Sequence, residues 1–310
     1  MQRHGERGFV LVVVLGVLVL MTVLALGFAR RALLERRAAA LSMEHAIAMA
    51  NARGAAQRGV ADLRNRTVLE GLGKPNSRGG PPTWKEHADP VSDELFDKEE
   101  VGENDTVNYV IEDLDGHISM NLSPEEVLDK AKFLGVGVIS KIVDRRGDGR
   151  GSNPPTPFLV TEEIMTLDNL DDEDWYGEDG KPGLRDLVSA WGDNRININT
   201  ASEEVLNAVP SLGRGVINDI VSRRRGPDGK LNTDDDLYFT SFSELSEQCD
   251  VGGSDITTLI RYCKLNSRFF TITGVATRMQ GKVRAFCEAT VEVRGDKAIV
   301  LQWREGPIGS

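Results

Sequence analysis

Sulfur and imidazole are scarce in this chain. Cys249, Cys263 and Cys287 form no C-x-x-C pair, and His4, His45, His87 and His117 are too scattered to build a zinc site. An odd cysteine count leaves at least one thiol unpaired within the monomer. Catalytic signatures are missing as well. There is no G-x-S-x-G, no H-E-x-x-H, no P-loop, no G-x-G-x-x-G after a strand and no Ser, His and Asp grouping, so no enzyme is expected. A positive surplus is also lacking: 37 Lys and Arg stand against 48 Asp and Glu, a net charge of −11. The imbalance is uneven. Arginine dominates residues 30–66, whereas residues 162–186 are acidic. A basic stretch followed by an acidic distal region fits an anchored protein better than a nucleic-acid binder.

Against these absences stands one long apolar run. Residues 9–29 are uncharged and almost all apolar. At about 1.5 Å rise per residue they reach roughly 30 Å, enough to cross a bilayer core. A buried core helix would carry a polar face, and a secretory signal would be shorter and end in a small-x-small site. Here the helical pattern continues from Arg30 to about Leu69 in Ala, Leu, Arg and Glu. One helix, half in lipid and half out, is expected.

Arg7-Gly8-Phe9 directly before that run resembles the type IV prepilin leader. The resemblance implies cleavage after Gly8 by a prepilin peptidase, methylation of Phe9 and an inner-membrane helix with the bulk of the chain in the periplasm. Flanking charges do not settle orientation, because Arg3 and Arg7 face Arg30, Arg31, Arg36 and Arg37 across the span. Most members of that family carry Glu at the fifth mature position, to pair with a neighbour's terminal amine. Here the residue is Val13. A carboxylate in lipid is costly unless paired, so an apolar residue suits a subunit with no neighbour above it. Absence of that Glu resembles the K-type minor pseudopilin of type II secretion.

An internal repeat follows. Residues 121–146 align without gaps to residues 199–224, an offset of 78, and about half of the aligned pairs are identical, among them Asn121/Asn199, Glu125/Glu203, Leu128/Leu206, Gly135/Gly213 and Ile142/Ile220. Each copy reads as helix, Gly-x-Gly turn, helix. Ser123, Pro124 and Glu126 are expected to cap the first copy, Thr200 and Glu203 the second. Each copy then leads to a further short helix, near 161–167 and 243–249. The hairpins resemble helix-hairpin-helix units, which hold a DNA phosphate with turn N–H groups. They equally resemble the SAM-like helical insertion of the K-type pseudopilin, whose entry is similar to Asp115-Gly-His-Ile-Ser-Met-Asn121. Charge separates the two. The first hairpin, Phe133 to Ser140, has no basic residue, and the arginines of the second, Arg214 and Arg223 to Arg225, are followed by Asp228 and Asp234 to Asp236. No nucleic-acid partner is therefore expected. The alternatives left open are a membrane-tethered DNA-binding protein of competence type and a minor type IV pilin.

Alternation of Val107, Tyr109 and Ile111, then Asp115-Gly116, then Ile118 and Met120 predicts a hairpin. Strands are predicted over 269–276, 283–293 and 297–303, with turns at Gln280-Gly281 and Arg294-Gly-Asp296. The expected fold is α+β: a pilin-like long helix packed on an antiparallel sheet, with a large all-helical insertion. The expected layout is a leader at 1–8, the helix at 9–70, loop and sheet hairpin at 71–120, helical units at 121–193 and 194–265, and final strands at 266–304.

One cation site is a candidate. Asp228, Asn232, Asp234 and Asp236 place oxygen donors at alternating spacing around a Gly, a set suited to Ca²⁺, although the loop lacks the EF-hand register. The K-type resemblance implies calcium in the insertion. Residues Asp171 to Asp174 are a weaker second candidate. A predicted helix at 254–262 spans about 13 Å between Cys249 and Cys263, which favours free thiols there. The same resemblance implies a non-enzymatic subunit that caps a periplasmic pseudopilus. Its partners would be the I-type and J-type minor pseudopilins, the major pseudopilin, and the inner-membrane assembly platform.

Overall fold

The computed structural model describes residues 6–71, 105–147, 155–167, 170–178, 180–229, 237–249 and 251–308. Helix α1 runs Glu6–Gly71, 66 residues and about 100 Å at the usual rise. From Leu11 to Phe28 its large apolar side chains are exposed. Farther along, Ala48, Ala52, Ala55, Ala56 and Leu63 are buried. Their spacing of three and four makes one face of a helix.

That face lies on a four-stranded antiparallel sheet of order β1-β6-β7-β8. Strand β1 is Thr106–Asp113, the first edge. Strands β2, Ile118–Ser119, β3, Val188–Ser189, β4, Ile196–Asn197, and β5, Cys263–Lys264, stand outside that sheet. The sheet is completed by β6, Phe269–Arg278, β7, Val283–Arg294, and β8, Lys297–Pro307. Small residues set the helix–sheet distance. A Cβ at Gly274 on β6 would run into the Ala52 carbonyl and the Ala56 amide, and one at Gly59 on α1 would come within 2.6 Å of Ile272. The alternating residues Phe270, Ile272 and Ala276 of β6, with Ala285, Cys287, Ala289 and Val291 of β7, fill the core beneath α1. Polar ties flank it: Tyr109 donates to Asp62 at 2.5 Å, Arg278 to Glu44 at 2.6 Å and Arg53 to Glu305 at 2.6 Å.

The α+β architecture is the one the sequence predicts, a long helix on an antiparallel sheet. One detail differs. Ile118–Ser119 does not fold back on β1 as a hairpin; β2 pairs in parallel with β3, and β4 pairs in parallel with β5. Asp113 explains the departure. Its Oδ1 accepts the Asp115 amide at 2.9 Å, turning the chain through a short 3-10 segment and away from the sheet. Met120 is accordingly buried among the helical residues, not beneath α1.

The insertion between β1 and β6 holds two helical units with a common core. In the first, β2 leads to α2, Glu125–Leu128, then α3, Val136–Arg146, a 3-10 turn at Thr161–Thr166, α4, Asp172–Tyr176, and β3. In the second, β4 leads to α5, Glu203–Leu206, α6, Arg214–Arg224, α7, Phe242–Gln248, α8, Gly253–Tyr262, and β5. The predicted caps are revised. Ser202, not Thr200, caps α5 by accepting the Val205 amide at 3.2 Å, and Pro124 stands just before α2 with no side-chain cap. Thr200 is used elsewhere, as described below. The Gly- and Pro-rich stretch predicted as loop lies outside the described residues, at 72–104.

Candidate functional site

Among the described residues no group of three His, Cys, Asp or Glu is arranged to hold a metal ion. Three features remain that could carry function: the exposed helix, the duplicated helical head, and the junction between head and sheet.

The first is the N-terminal half of α1. It is the one described helix long and apolar enough to cross a membrane, and none of its apolar window is buried. Gly8 and Phe9 lie within its backbone, and Val13 is 48% exposed. Arg30, Arg31, Arg36 and Arg37 follow, all exposed. Arg31 donates to Glu35 at 2.8 Å, one helical turn on.

In the head, several side-chain bonds recur in both copies of the sequence repeat. Asn121 donates to the carbonyls of Phe158 at 2.9 Å and Ala190 at 2.6 Å, and accepts the Phe158 amide at 2.9 Å. Asn199 donates to the carbonyls of Phe239 at 2.9 Å and Leu265 at 3.0 Å, and accepts the Phe239 amide at 2.9 Å. Each Asn thus fastens the entry strand to the exit strand and to a buried Phe. An amide can do this because it offers both donors and an acceptor. Arg146 donates to the Ser123 carbonyl at 2.7 Å, and its repeat partner Arg224 to the Ala201 carbonyl at 2.5 Å. Glu163 accepts the Leu159 and Val160 amides, as Glu244 accepts that of Thr240. Burial works to raise the Glu163 carboxyl, but those amides and Arg145 hold it below the usual carboxylate range. Hydrogen bonds from Thr240 hold Glu244 below that range too. The identity of Asn121 and Asn199 in the repeat was the signal that could have marked them.

The junction centres on Asp113. Its Oδ2 accepts from Asn197 at 3.1 Å, Thr200 at 2.6 Å and Ser267 at 2.5 Å, joining the sheet to the start and end of the second unit. Burial, with Asp115 beside it, pushes the Asp113 carboxyl above its ordinary value. Asp115 accepts the Arg268 amide at 2.6 Å and pairs with Lys264 at 2.8 Å, and Lys264 also reaches Asp193 at 3.1 Å. The turn packs closely enough that a Cβ on Gly116 would sit 2.8 Å from Thr200 Oγ1. The first unit lies over the sheet's other face, where Arg304 bridges Glu288 at 2.5 Å and Glu162 at 2.9 Å.

Of the calcium candidates, Asp228 lies just past α6, while Asn232, Asp234 and Asp236 lie outside the described residues. The second candidate is otherwise employed. Asp171 caps α4 by accepting the amides of Glu173 at 3.0 Å and Asp174 at 3.1 Å, and Asp174 accepts the Asp171 amide in return. Those two carboxylates stabilise a helix start. Cys249, Cys263 and Cys287 are buried without disulfides. Burial pushes Cys249 up to about 11, Cys263 to about 12 and Cys287 to about 11, so these thiols stay protonated at neutral pH.

No protein-family model matches the sequence, and no curated protein matches it. A solved structure does match in fold. The chain superposes with a TM-score of 0.57 on a chain of the GspK-GspI-GspJ complex from the type 2 secretion system of enterotoxigenic Escherichia coli, at 13% sequence identity. The match covers 86% of this chain and 98% of the other, so it has to take in most of the helical insertion as well as α1 and the sheet. The fold of this chain is therefore that of a chain in the GspK-GspI-GspJ complex of a type 2 secretion system, in keeping with the resemblance its sequence carries.

Proposed function

We propose that this protein is the K-type minor pseudopilin of a type II secretion system, a non-enzymatic subunit that caps the tip of a periplasmic pseudopilus and supports protein export. The observation that carries the proposal is the combination of an exposed apolar helix, a pilin-like sheet and a helical head in one chain, matched over 86% of its length by a chain of the GspK-GspI-GspJ complex. On this reading the I-type and J-type minor pseudopilins are its immediate partners and the major pseudopilin lies below. Val13, lacking a carboxylate, suits a subunit that joins at the top. Gold label on the head should decorate one end of each fibre. Label along the whole fibre would overturn tip placement.

The competence-type reading is less well supported. Four of its arginines are engaged within the head: Arg145 pairs with Glu163, Arg146 and Arg224 donate to backbone carbonyls, and Arg223 donates to Gln248 at 2.9 Å, which leaves Arg214 and Arg225 exposed beside the acidic stretch that follows. A phosphate-binding hairpin needs such groups free and aimed outward. DNA retention that falls steeply with salt would revive that reading.

Two finer points belong to the same proposal. A prepilin peptidase cuts between Gly8 and Phe9 on the cytoplasmic side, and Phe9 is then methylated; N-terminal sequencing of the mature protein should begin at Phe9. Asp228, Asn232, Asp234 and Asp236 bind Ca²⁺, because the three carboxylates among them, within nine residues, repel one another without a cation. Thermal stability should then rise with millimolar calcium and fall with chelator, and Asp234→Asn with Asp236→Asn should erase the difference. Sodium at matched ionic strength reproducing the calcium effect would refute the site.

A further inference from the structure

The arginines that follow the apolar span form the strongest cluster left unused by this account. Arg30, Arg31, Arg36 and Arg37 are exposed, and only Arg31 has an ion-pair partner among the described residues, Glu35. The other three carry unneutralised charge. At 100° per residue, Arg30 and Arg37 share one side of α1 and Arg36 points away from them. From Arg30 to Arg37 the helix rises about 10 Å, comparable to one headgroup layer plus side-chain reach. Between the arginines, Leu33 and Leu34 are 55% and 65% exposed. Apolar side chains among basic ones on an exposed helix are the composition of a membrane-surface segment.

Charge bookkeeping across the span sharpens the point. On the proposed processing, Arg3 and Arg7 leave with the leader, and only a terminal amine stays on the cytoplasmic end. The arginines then lie on the far side, opposite to the usual bias. Dragging them into hydrocarbon is costly, so they stay at the surface. At the far surface an anionic headgroup layer has the complementary charge and the right depth for them.

We infer that Arg30, Arg36 and Arg37 form a collar that binds anionic phospholipid headgroups at the non-cytoplasmic membrane surface and fixes the depth of α1 before assembly. The inference rests on the proposed membrane span and orientation. Each arginine is worth about fivefold in headgroup affinity, the change that corresponds to about 1 kcal/mol. Arg31 contributes little, because Glu35 already offsets it.

Native mass spectrometry of the full-length protein in neutral detergent, with phosphatidylglycerol or phosphatidylcholine added, tests the collar. Phosphatidylglycerol should be retained preferentially. The preference should fall roughly a hundredfold in the variant combining Arg30→Gln, Arg36→Gln and Arg37→Gln, and hardly change in Arg31→Gln. Inorganic phosphate should not displace the lipid; displacement would make this a general anion site and overturn the inference. Equal retention of both lipids, or an unchanged preference in the triple variant, would overturn the collar and leave the span standing. Retention of neither lipid would overturn the collar as well, and recovery of the full-length protein in the soluble fraction without detergent would remove the span with it.

Discussion

The two helical units share a plan and differ in what they hold. Both close on an Asn that ties entry strand, exit strand and a buried Phe, and both anchor α3 or α6 by an Arg bonded to the backbone before the preceding helix. Only the second is tied to the sheet through Asp113, with Asn197, Thr200 and Ser267 closing on one carboxylate. The first rests on the sheet through the pair of half-buried Arg304 and exposed Glu162. A repeat thus keeps the polar bonds that define the unit, while the bonds that place the unit in the molecule fall at positions where the copies differ: Asn197 stands opposite Ser119, and Thr200 opposite Leu122.

The frame and its asymmetry can be broken separately. The largest effect should come from Asn199→Ala. It removes three hydrogen bonds and strands the Phe239 amide and two carbonyls in a dry site, since Asn199 is 8% exposed. We expect a loss of about 4 kcal/mol, because each buried group left unpaired costs about 1–3 kcal/mol. Asn121→Ala should cost about half as much, because Asn121 is only half-buried and water can take its place. Denaturant unfolding of the two variants measures both; equal losses would mean that the copies are energetically alike.

Next in size is the arginine pair. Arg224 is 3% exposed and Arg146 half-buried. Arg224→Ala should destabilise by about 2–3 kcal/mol and Arg146→Ala by about 1 kcal/mol, read from the same unfolding curves. The reverse order would show that the first unit, not the second, carries the tighter core.

The smallest effects concern acid. Glu163 and Glu244 both sit below the usual carboxylate range in the folded chain. Their stabilising contributions are therefore complete above the unfolded value, near about 4.3, and are lost as pH falls through the lower folded value. Glu163→Gln and Glu244→Gln should each cost under about 1 kcal/mol at neutral pH, given partial exposure. The difference from the natural protein should vanish in the acid range. Glu163→Gln should be the larger, because Arg145 loses its partner as well. Stability measured across pH decides it, and a difference that grows on acidification would contradict the sign.

Much of the fold was legible because periodicity and repetition are local in sequence. The apolar run and the alternating C-terminal strands declare themselves within short windows, the repeat shows when the chain is aligned with itself, and α7 and α8 fall close to their predicted positions. What failed depended on distant partners. Asp115-Gly116 reads locally as a hairpin turn, yet the chain is steered by Asp113, whose Oδ2 is held by partners 84 to 154 residues away. Thr200 reads as a cap because its neighbours allow it, but its hydroxyl is taken by Asp113, and Ser202 serves α5 instead. Gly274 gives no sign in sequence that it marks the closest approach of helix and sheet. At the candidate site, the exposed helix was legible from composition alone. The Asn clamp was not, because an identical Asn in two copies names no partner.

The central claim is that this chain joins a minor-pseudopilin tip. Co-expression of the full-length chain with the I-type and J-type minor pseudopilins, followed by purification in detergent through a tag on this chain alone, tests it most directly. The account predicts that both partners co-purify as one complex of defined stoichiometry. Recovery of this chain without them, while the I-type and J-type proteins still bind each other, would contradict it.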